Sequence, residues 1–481
     1  MVFQNDILAG SSGASGTSTT VHTIDQSIRF NDDDSAYMSK TFASAGNRKT
    51  WSLSFWWKRG NLSSVANKRQ ILFRGGTFSF YSNHNSSTID GINFSYTATA
   101  NDLQTTQVFR DPSAWYHIVV NMDTSNPITP ERVRLYVNGS RVTSFASSSY
   151  PSLNTEYQFN SNVEHNIGRR SAGEELDGYL AEIVFIDGQA LDPSSFGLYN
   201  DSNIWIPKDV SGLTFGTNGF HIKGESASDL GKDSSGNNND FTTSGLASHD
   251  QVFDTPTNNF CVANPLNKGA GVTISEGNLK SASSNADEFY VTSSMGVNTG
   301  KWYMEAYLIS ITGGQTLIGI TSNSGEDRRN DQFPGQNTYS YGYANGASGF
   351  MTNLTAQAGT WATYTNGDII SVALDLDNNL IYVYKNGAIQ NSGTGFSITD
   401  PASTTDGFYF FATGDGNASH NGQWVYNYGQ DSTFSGLYTQ SNSYVADSNN
   451  YVGASDGNGV GSFFYTPPTG YLALCTKNLG S

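Results

Sequence analysis

The chain has 481 residues and a formal net charge of −17, with 37% hydrophobic and only 14% charged residues, and with 51 glycines, 26 tyrosines and 28 phenylalanines. That length exceeds one ordinary core and calls for two or three domains. The aromatic content excludes a disordered chain, and an acidic balance without a basic cluster argues against nucleic-acid binding. Two cysteines, Cys261 and Cys475, are too few for a disulfide scaffold, and they lack the nearby histidines of a zinc site.

The opening MVFQNDILAG has neither the basic start nor the apolar core of a signal peptide. No run approaches the roughly 20 apolar residues of a membrane span. Cytosolic synthesis without membrane insertion is therefore expected. Residues 1–22 continue into SSGASGTSTT, a flexible composition. Two readings stay open: a frayed terminus, or an arm that docks on a partner through Val2, Phe3, Ile7 and Leu8.

A first β-module is expected over residues 23–205. In WSLSFWWK, Trp51, Leu53, Phe55 and Trp57 point one way and Ser52 and Ser54 the other, the alternation of a half-buried strand. In RVRLYVNG, Val133, Leu135 and Val137 share a face; in LAEIVFIDG, Ala181, Ile183 and Phe185 do. LDPSSFGLYN reads as a short helical turn. Residues 206–270 are Gly/Asn/Ser-rich and read as a connector. A second β-module is expected over 271–437, with Trp302, Met304, Ala306 and Leu308 on one strand face and Ile370, Val372, Leu374 and Leu376 on another. Residues 438–481 read as an extension packing on this second module.

One pattern occurs twice, in residues 115–142 and 367–390: a strand ending near an Asp, a connection, a second strand, then Asn-Gly. Asn138-Gly139 and Asn386-Gly387 supply the positive φ angles of tight hairpins. The fold class is therefore all-β, two antiparallel sandwiches of jelly-roll type in tandem behind a flexible N-terminal arm. DTPTNNFCVANPL near 260 and TPPTGYLALCTKNL near the C-terminus are alike. They are expected to pair as neighbouring strands, bringing two buried, reduced thiols close together.

The first module resembles a laminin-G or concanavalin A-like jelly roll, in SLSFWWKRG (52–60), WYHIVV (115–120), RLYVNGSRV (134–142) and NIGRRSAGEELDGYLAEIVFIDGQAL (166–191). Asp233-Ser-Ser-Gly-Asn is similar to a segment of the same family. The second module resembles a SPRY domain, in GKWYMEAYL (300–308), LIGIT (317–321), YGY (341–343), NGDIISVALDLDNNLIYVYKNG (366–387) and FYFF (408–411). Module order, together with FQNDILAGSSGASG and IRFNDDDSAYMSKTFASAGNRKTW, resembles virion proteins of tailed phages, marine ones in particular. That resemblance implies a tail fibre or spike component, or else a head decoration or tail-assembly protein. It further implies a homotrimer assembled into virions in the host cytoplasm, with other virion proteins contacted through the arm.

Concanavalin-like glucanases place three carboxylates on one strand face as Glu-x-Asp-x-Glu. This chain offers Glu175 and Asp177, but the third place is Tyr179, and Glu182 falls on the opposite face unless a bulge brings it round. No G-x-S-x-G elbow occurs, and the seven histidines, His117 among them, have no ligand-pair spacing. A non-enzyme is expected, with glycan hydrolysis a third reading. No cofactor is expected beyond calcium, for which Asp375, Asp377 and Asp415 are candidates. Host-surface glycan or receptor binding is expected on Tyr/Asn-rich loops, with Tyr81, Asn83, His84, Tyr339, Tyr341, Tyr343, Asn417, His420 and Trp424 as contacts. Solvated loops without a ligand are the alternative.

Overall fold

The computed structural model describes residues 22–60, 62, 69–83, 90–97, 102–284, 289–322, 333–346, 348–416, 420–438 and 453–480. Val2, Phe3, Ile7, Leu8, His84 and Asn417 lie outside the described residues. The chain divides into two compact units, Met1–Asn259 and Phe260–Leu479. Both are antiparallel sandwiches, as alternation and turn spacing led one to expect.

In the first unit, one sheet runs in the order Ser140–Arg141, Val133–Val137, Trp115–Asp123, Thr50–Arg59, Gly178–Asp187, Ser27–Phe30 and Gln251–Val252, and Phe220–Ile222 also pairs with Gly178–Asp187. The facing sheet runs Phe145–Ser148, Leu103–Val108, Gly91–Ser95, Phe78–Asn83, Arg69–Gly75, Glu164–Ile167, Tyr37–Thr41 and Thr242–Ser244. Trp51, Leu53, Phe55 and Trp57 fill the space between the sheets against Phe73, Phe78, Phe80 and Phe94. The strand Thr50–Arg59 is not half-buried, however. It is covered on both faces, because Trp56 packs with Ile24, Trp115 and Val252 on the outer side and a second outer cluster joins Val119 and Val184 to Phe196, Val210 and Phe215.

Residues 206–259, expected to be a connector, belong to the first unit. Phe220–Ile222 pairs with Gly178–Asp187, Thr242–Ser244 with Tyr37–Thr41, and Gln251–Val252 with Ser27–Phe30. The Gly/Asn/Ser composition reflects loop construction, with Asp233 as its centre. Its Oδ1 accepts the N–H groups of His221 and Ser235 (both 2.8 Å), and its Oδ2 accepts that of Asn239 (2.8 Å). Pro193–Ser195 forms the anticipated single turn, of 3-10 type.

In the second unit, one sheet runs Ala263–Lys268, Phe289–Ser293, Phe410–Asp415, Thr316–Thr321, Ser340–Ala344, Phe350–Thr352 and Thr355–Gln357. The other runs Val272–Ser275, Lys280–Ser283, Asn421–Asn427, Lys301–Thr312, Ile369–Asp375, Leu380–Lys385 and Ala388–Ile389. The core holds Trp302, Met304, Leu308, Ile370, Val372 and Leu374, which alternate as the sequence indicates.

Both hairpin turns form with positive φ at each central residue, 48° and 78° at Asn138-Gly139 and 49° and 76° at Asn386-Gly387. Phe260 bridges Cys475, and the Cys261 N–H donates to the Leu474 carbonyl at 3.0 Å. This register sets Cys261 opposite Leu474, and both join the core. Cys475 is the next residue along and so faces away. The two segments thus pair as neighbours, as expected; both thiols are buried and no disulfide joins them, and the one-residue offset sets them on opposite faces of the pair.

Candidate functional site

Four of the nine expected loop contacts, Tyr81, Tyr341, Tyr343 and Trp424, are buried. Tyr81 lies within Phe78–Asn83 and is buried; Asn83 ends that strand. Tyr341 and Tyr343 lie within Ser340–Ala344, and both are buried. The Tyr343 hydroxyl donates to the Ala362 carbonyl, and that of Tyr341 meets Thr399 Oγ1 at 3.2 Å. Trp424 is 2% exposed, and its indole N–H donates to Thr316 Oγ1 at 3.0 Å. The loop reading is corrected at these positions. The alternation in YSYGYA is a strand signal, and buried tyrosines keep a hydrogen bond for the phenol. Tyr339 is half-buried. His420 is also half-buried and held by Gln315, whose N–H lies 3.0 Å from Nδ1.

The carboxylates do not converge. Glu175 pairs with Arg169 at 3.4 Å. Glu182 does come round, because the strand Gly178–Asp187 carries a bulge between Ala181 and Val184. Glu182 has a φ of 47° there. Leu180, Ile183 and Phe185 face the core, whereas Tyr179 and Ala181 pack outward. Ala181 therefore leaves the face it was expected to share with Ile183 and Phe185. Glu182 Oε2 is engaged by His221 Nε2 at 2.7 Å.

Asp375 accepts from Lys301 Nζ (2.8 Å) and Asn378 Nδ2 (2.9 Å), and Asp377 from the Gly300 N–H (3.0 Å). Asp415 accepts from the Ser283 hydroxyl and from the Gly422 N–H at 2.9 Å. It sits in the sheet facing that of Asp375, and burial pushes its pKa up. These three do not form a calcium site, since Asp415 lies in a different sheet from Asp375 and each carboxylate is taken up by N–H or O–H donors. Among the described residues, no group of three His, Cys, Asp or Glu side chains is arranged to hold a metal ion.

A serine–histidine pair is present but faces the wrong way for nucleophilic catalysis. Ser54 Oγ lies 2.9 Å from His117 Nε2, and the Trp205 indole N–H donates to His117 Nδ1 at 2.9 Å. An indole can only donate, so Nδ1 is the acceptor and the ring proton sits on Nε2, which donates to Ser54. Burial lowers the His117 pKa to about 3. The ring is thus neutral, but the nitrogen that faces Ser54 already carries its proton and cannot accept another from the serine. The adjoining crevice, between His117, Glu182 and Lys208, has about 10 Å³ of open space, room for about one water.

A surface better suited to binding lies on the outer face of the second unit's sheet. Ile381 and Val383 enter the core, so Leu380, Tyr382 and Tyr384 face outward. Registers place Lys301, Asp375 and Leu380 in one row, and Tyr303, Ala373 and Tyr382 in the next. Tyr382 and Tyr384 are half-buried. Gly395 lies against the Tyr382 ring, where an added Cβ would come within 2.7 Å of it. Exposed Asp377 and Asn378 border the row, and Lys301 Nζ stands 5.8 Å above the Tyr471 ring. The signal was present in LIYVYK, where the apolar face alternates with two tyrosines.

Comparison with known proteins gives two matches to family models. Residues 31–194 match the concanavalin A-like lectin/glucanases superfamily, and residues 301–421 match the SPRY domain. No curated protein sequence matches the chain. The SPRY domain of human HERC1 is 14% identical with a TM-score of 0.28, over 34% of this chain and 96% of that one. A further human SPRY domain is 15% identical with a TM-score of 0.23, over 32% and 94%. A provisionally assigned carbohydrate binding protein from Bacteroides ovatus is 13% identical with a TM-score of 0.33, over 46% and 58%.

Proposed function

We propose that the chain is a non-catalytic adhesion protein whose lectin-like sandwiches bind surface glycans, with Tyr382 and Tyr384 as a principal contact. The observation that carries this reading is the half-buried tyrosine row bordered by Lys301, Asp375, Asp377 and Asn378. Tyrosine rings offer apolar faces to the C–H side of a sugar, and amide and carboxylate groups take its hydroxyls. The serine–histidine pair and the scattered carboxylates favour binding over hydrolysis. Module order and the similarity of the opening residues to tailed-phage virion proteins extend the proposal to a trimeric tail fibre or spike component. Its arm, residues 1–22, would attach to other virion proteins.

The full chain on a glycan array tests the first part. Binding is expected, with a loss of about tenfold or more in the Y382A/Y384A variant and little change in its melting temperature. No binding to any glycan or host cell would point instead to a structural role in the particle. Release of reducing sugar would overturn the non-catalytic reading. Deleting residues 1–22 is expected to block incorporation into particles while leaving the rest folded.

A further inference from the structure

The outer face of the first unit's sheet carries a cluster unused by the reading above. Glu182 Oε2 lies 2.7 Å from His221 Nε2 and 3.9 Å from His22 Nε2. Three observations set the cluster apart. Glu182 adopts a left-handed backbone at the bulge, a conformation unfavourable for a non-glycine residue, and such outliers persist where surroundings over-determine them. His22 Nε2 is shielded from solvent yet makes no hydrogen bond. Third, the chain beside His22 is gripped two residues on, where Ile24 N–H and C=O both bond the Thr257 hydroxyl (3.1 and 2.8 Å).

We propose that His22, Glu182 and His221 form a proton-operated clamp, which fastens the chain at residues 22–24 to this sheet when His22 is protonated and releases it there as the pH rises. Protonation gives His22 Nε2 a hydrogen to direct at a carboxylate that already faces it, converting an unmade contact into a charge-assisted one. Burial alone would raise the Glu182 pKa, but the two imidazoles outweigh it and leave the group at about 2, so the acceptor stays charged throughout. Proximity to Glu182 raises the His22 pKa above 6.5, with burial opposing. A raised histidine pKa stabilises the closed clamp below the unfolded value, and that contribution is lost as pH climbs through the folded value. The other charged groups facing the cluster are Asp209, which supports the His22 charge, and Lys223, which opposes it. Lys223 is itself paired with Glu225 at 3.6 Å. Lys208 lines the crevice beside Glu182, and His117 across it is neutral.

The test uses the full chain. Histidine-labelled NMR, assigned with H22Q, gives the His22 titration, and hydrogen-exchange mass spectrometry corrected for intrinsic rates reads the peptide covering residues 22–26 at about pH 5.5 and about pH 8. The expected results are a His22 pKa above 6.5, greater protection at the lower pH, loss of that difference in H22Q, and a lower His22 pKa in E182Q. His22 titrating at or below 6.5, or a protection difference that survives in H22Q, would overturn the clamp. Should E182Q fail to fold, H22Q decides alone, because its side chain is partly exposed and its replacement leaves Glu182–His221 intact.

Discussion

Asn138 and Asn386 do the same job twice. Each has a left-handed φ, and each exchanges two hydrogen bonds with the strand that neighbours its hairpin. Asn138 Oδ1 accepts from the His117 N–H at 2.8 Å while its own N–H donates to the His117 carbonyl at 2.8 Å. Asn386 does likewise with Ile369, also at 2.8 Å both ways. Glycine would tolerate the backbone but not supply the acceptor; alanine would do neither. Asn386→Ala is therefore expected to destabilise the second unit by about 1–3 kcal/mol, and Asn386→Gly by less, as read by urea denaturation. The dipeptide was legible because positive φ restricts residue choice. The fate of Tyr341 and Tyr343 was not, since aromatic-polar stretches occur both in exposed loops and in strands with hydrogen-bonded phenols. That the chain brings the Ala362 carbonyl to the Tyr343 hydroxyl and Thr399 to that of Tyr341 is a long-range fact.

At the scale of elements, the last strands show what local pattern leaves open. Leu472–Ala473 adds parallel to Lys301–Thr312, and the segment before it lies over that strand's outer face. There Glu305, fully buried, accepts the N–H groups of Phe464 (2.7 Å) and Tyr465 (2.8 Å). Asn427 Nδ2 also donates to it at 3.3 Å. Burial drives its pKa from 4.5 up to about 7, against the lowering effect of those N–H groups. The protonated form is thus favoured by the fold. Stability from this group is fully present below pH 4.5 and is lost as pH rises through about 7. Melting of the second unit is expected to move upward from about pH 8 to about pH 5 by on the order of a few kcal/mol, and this slope should flatten in Glu305→Gln. An equal slope in the variant would refute the assignment. In the sequence, Glu305 is one polar residue on the alternating strand GKWYMEAYL, and nothing nearby announces that residues 159 and 160 positions later will cover it.

The first unit runs on to Asn259 and takes in most of the stretch 206–270 that composition marked as a connector. Lys58 Nζ, fully buried, donates to Asp254 Oδ2 (2.6 Å) and Asn259 Oδ1 (2.7 Å), and the Trp115 indole donates to Asp254 Oδ1 (3.0 Å). A fragment of residues 22–259 is expected to fold, with a cooperative melt. A fragment of residues 22–205 should not, because it leaves a buried lysine uncompensated, a loss of about 3–5 kcal/mol, and strips three strands from the sheets. Circular dichroism and melting of both fragments check this. What the residues determine by themselves is local: two-residue periodicity, the Asn-Gly turns and the aromatic content establish an all-β chain of two sandwiches, because φ/ψ preference and facial alternation act between near neighbours. Tertiary structure alone decided that a Gly/Asn/Ser-rich stretch completes two sheets, that a bulge turns Glu182 toward two histidines, and that the serine–histidine pair is inert. Each of these depends on contacts between residues far apart in the chain, and such contacts leave no imprint on local pattern.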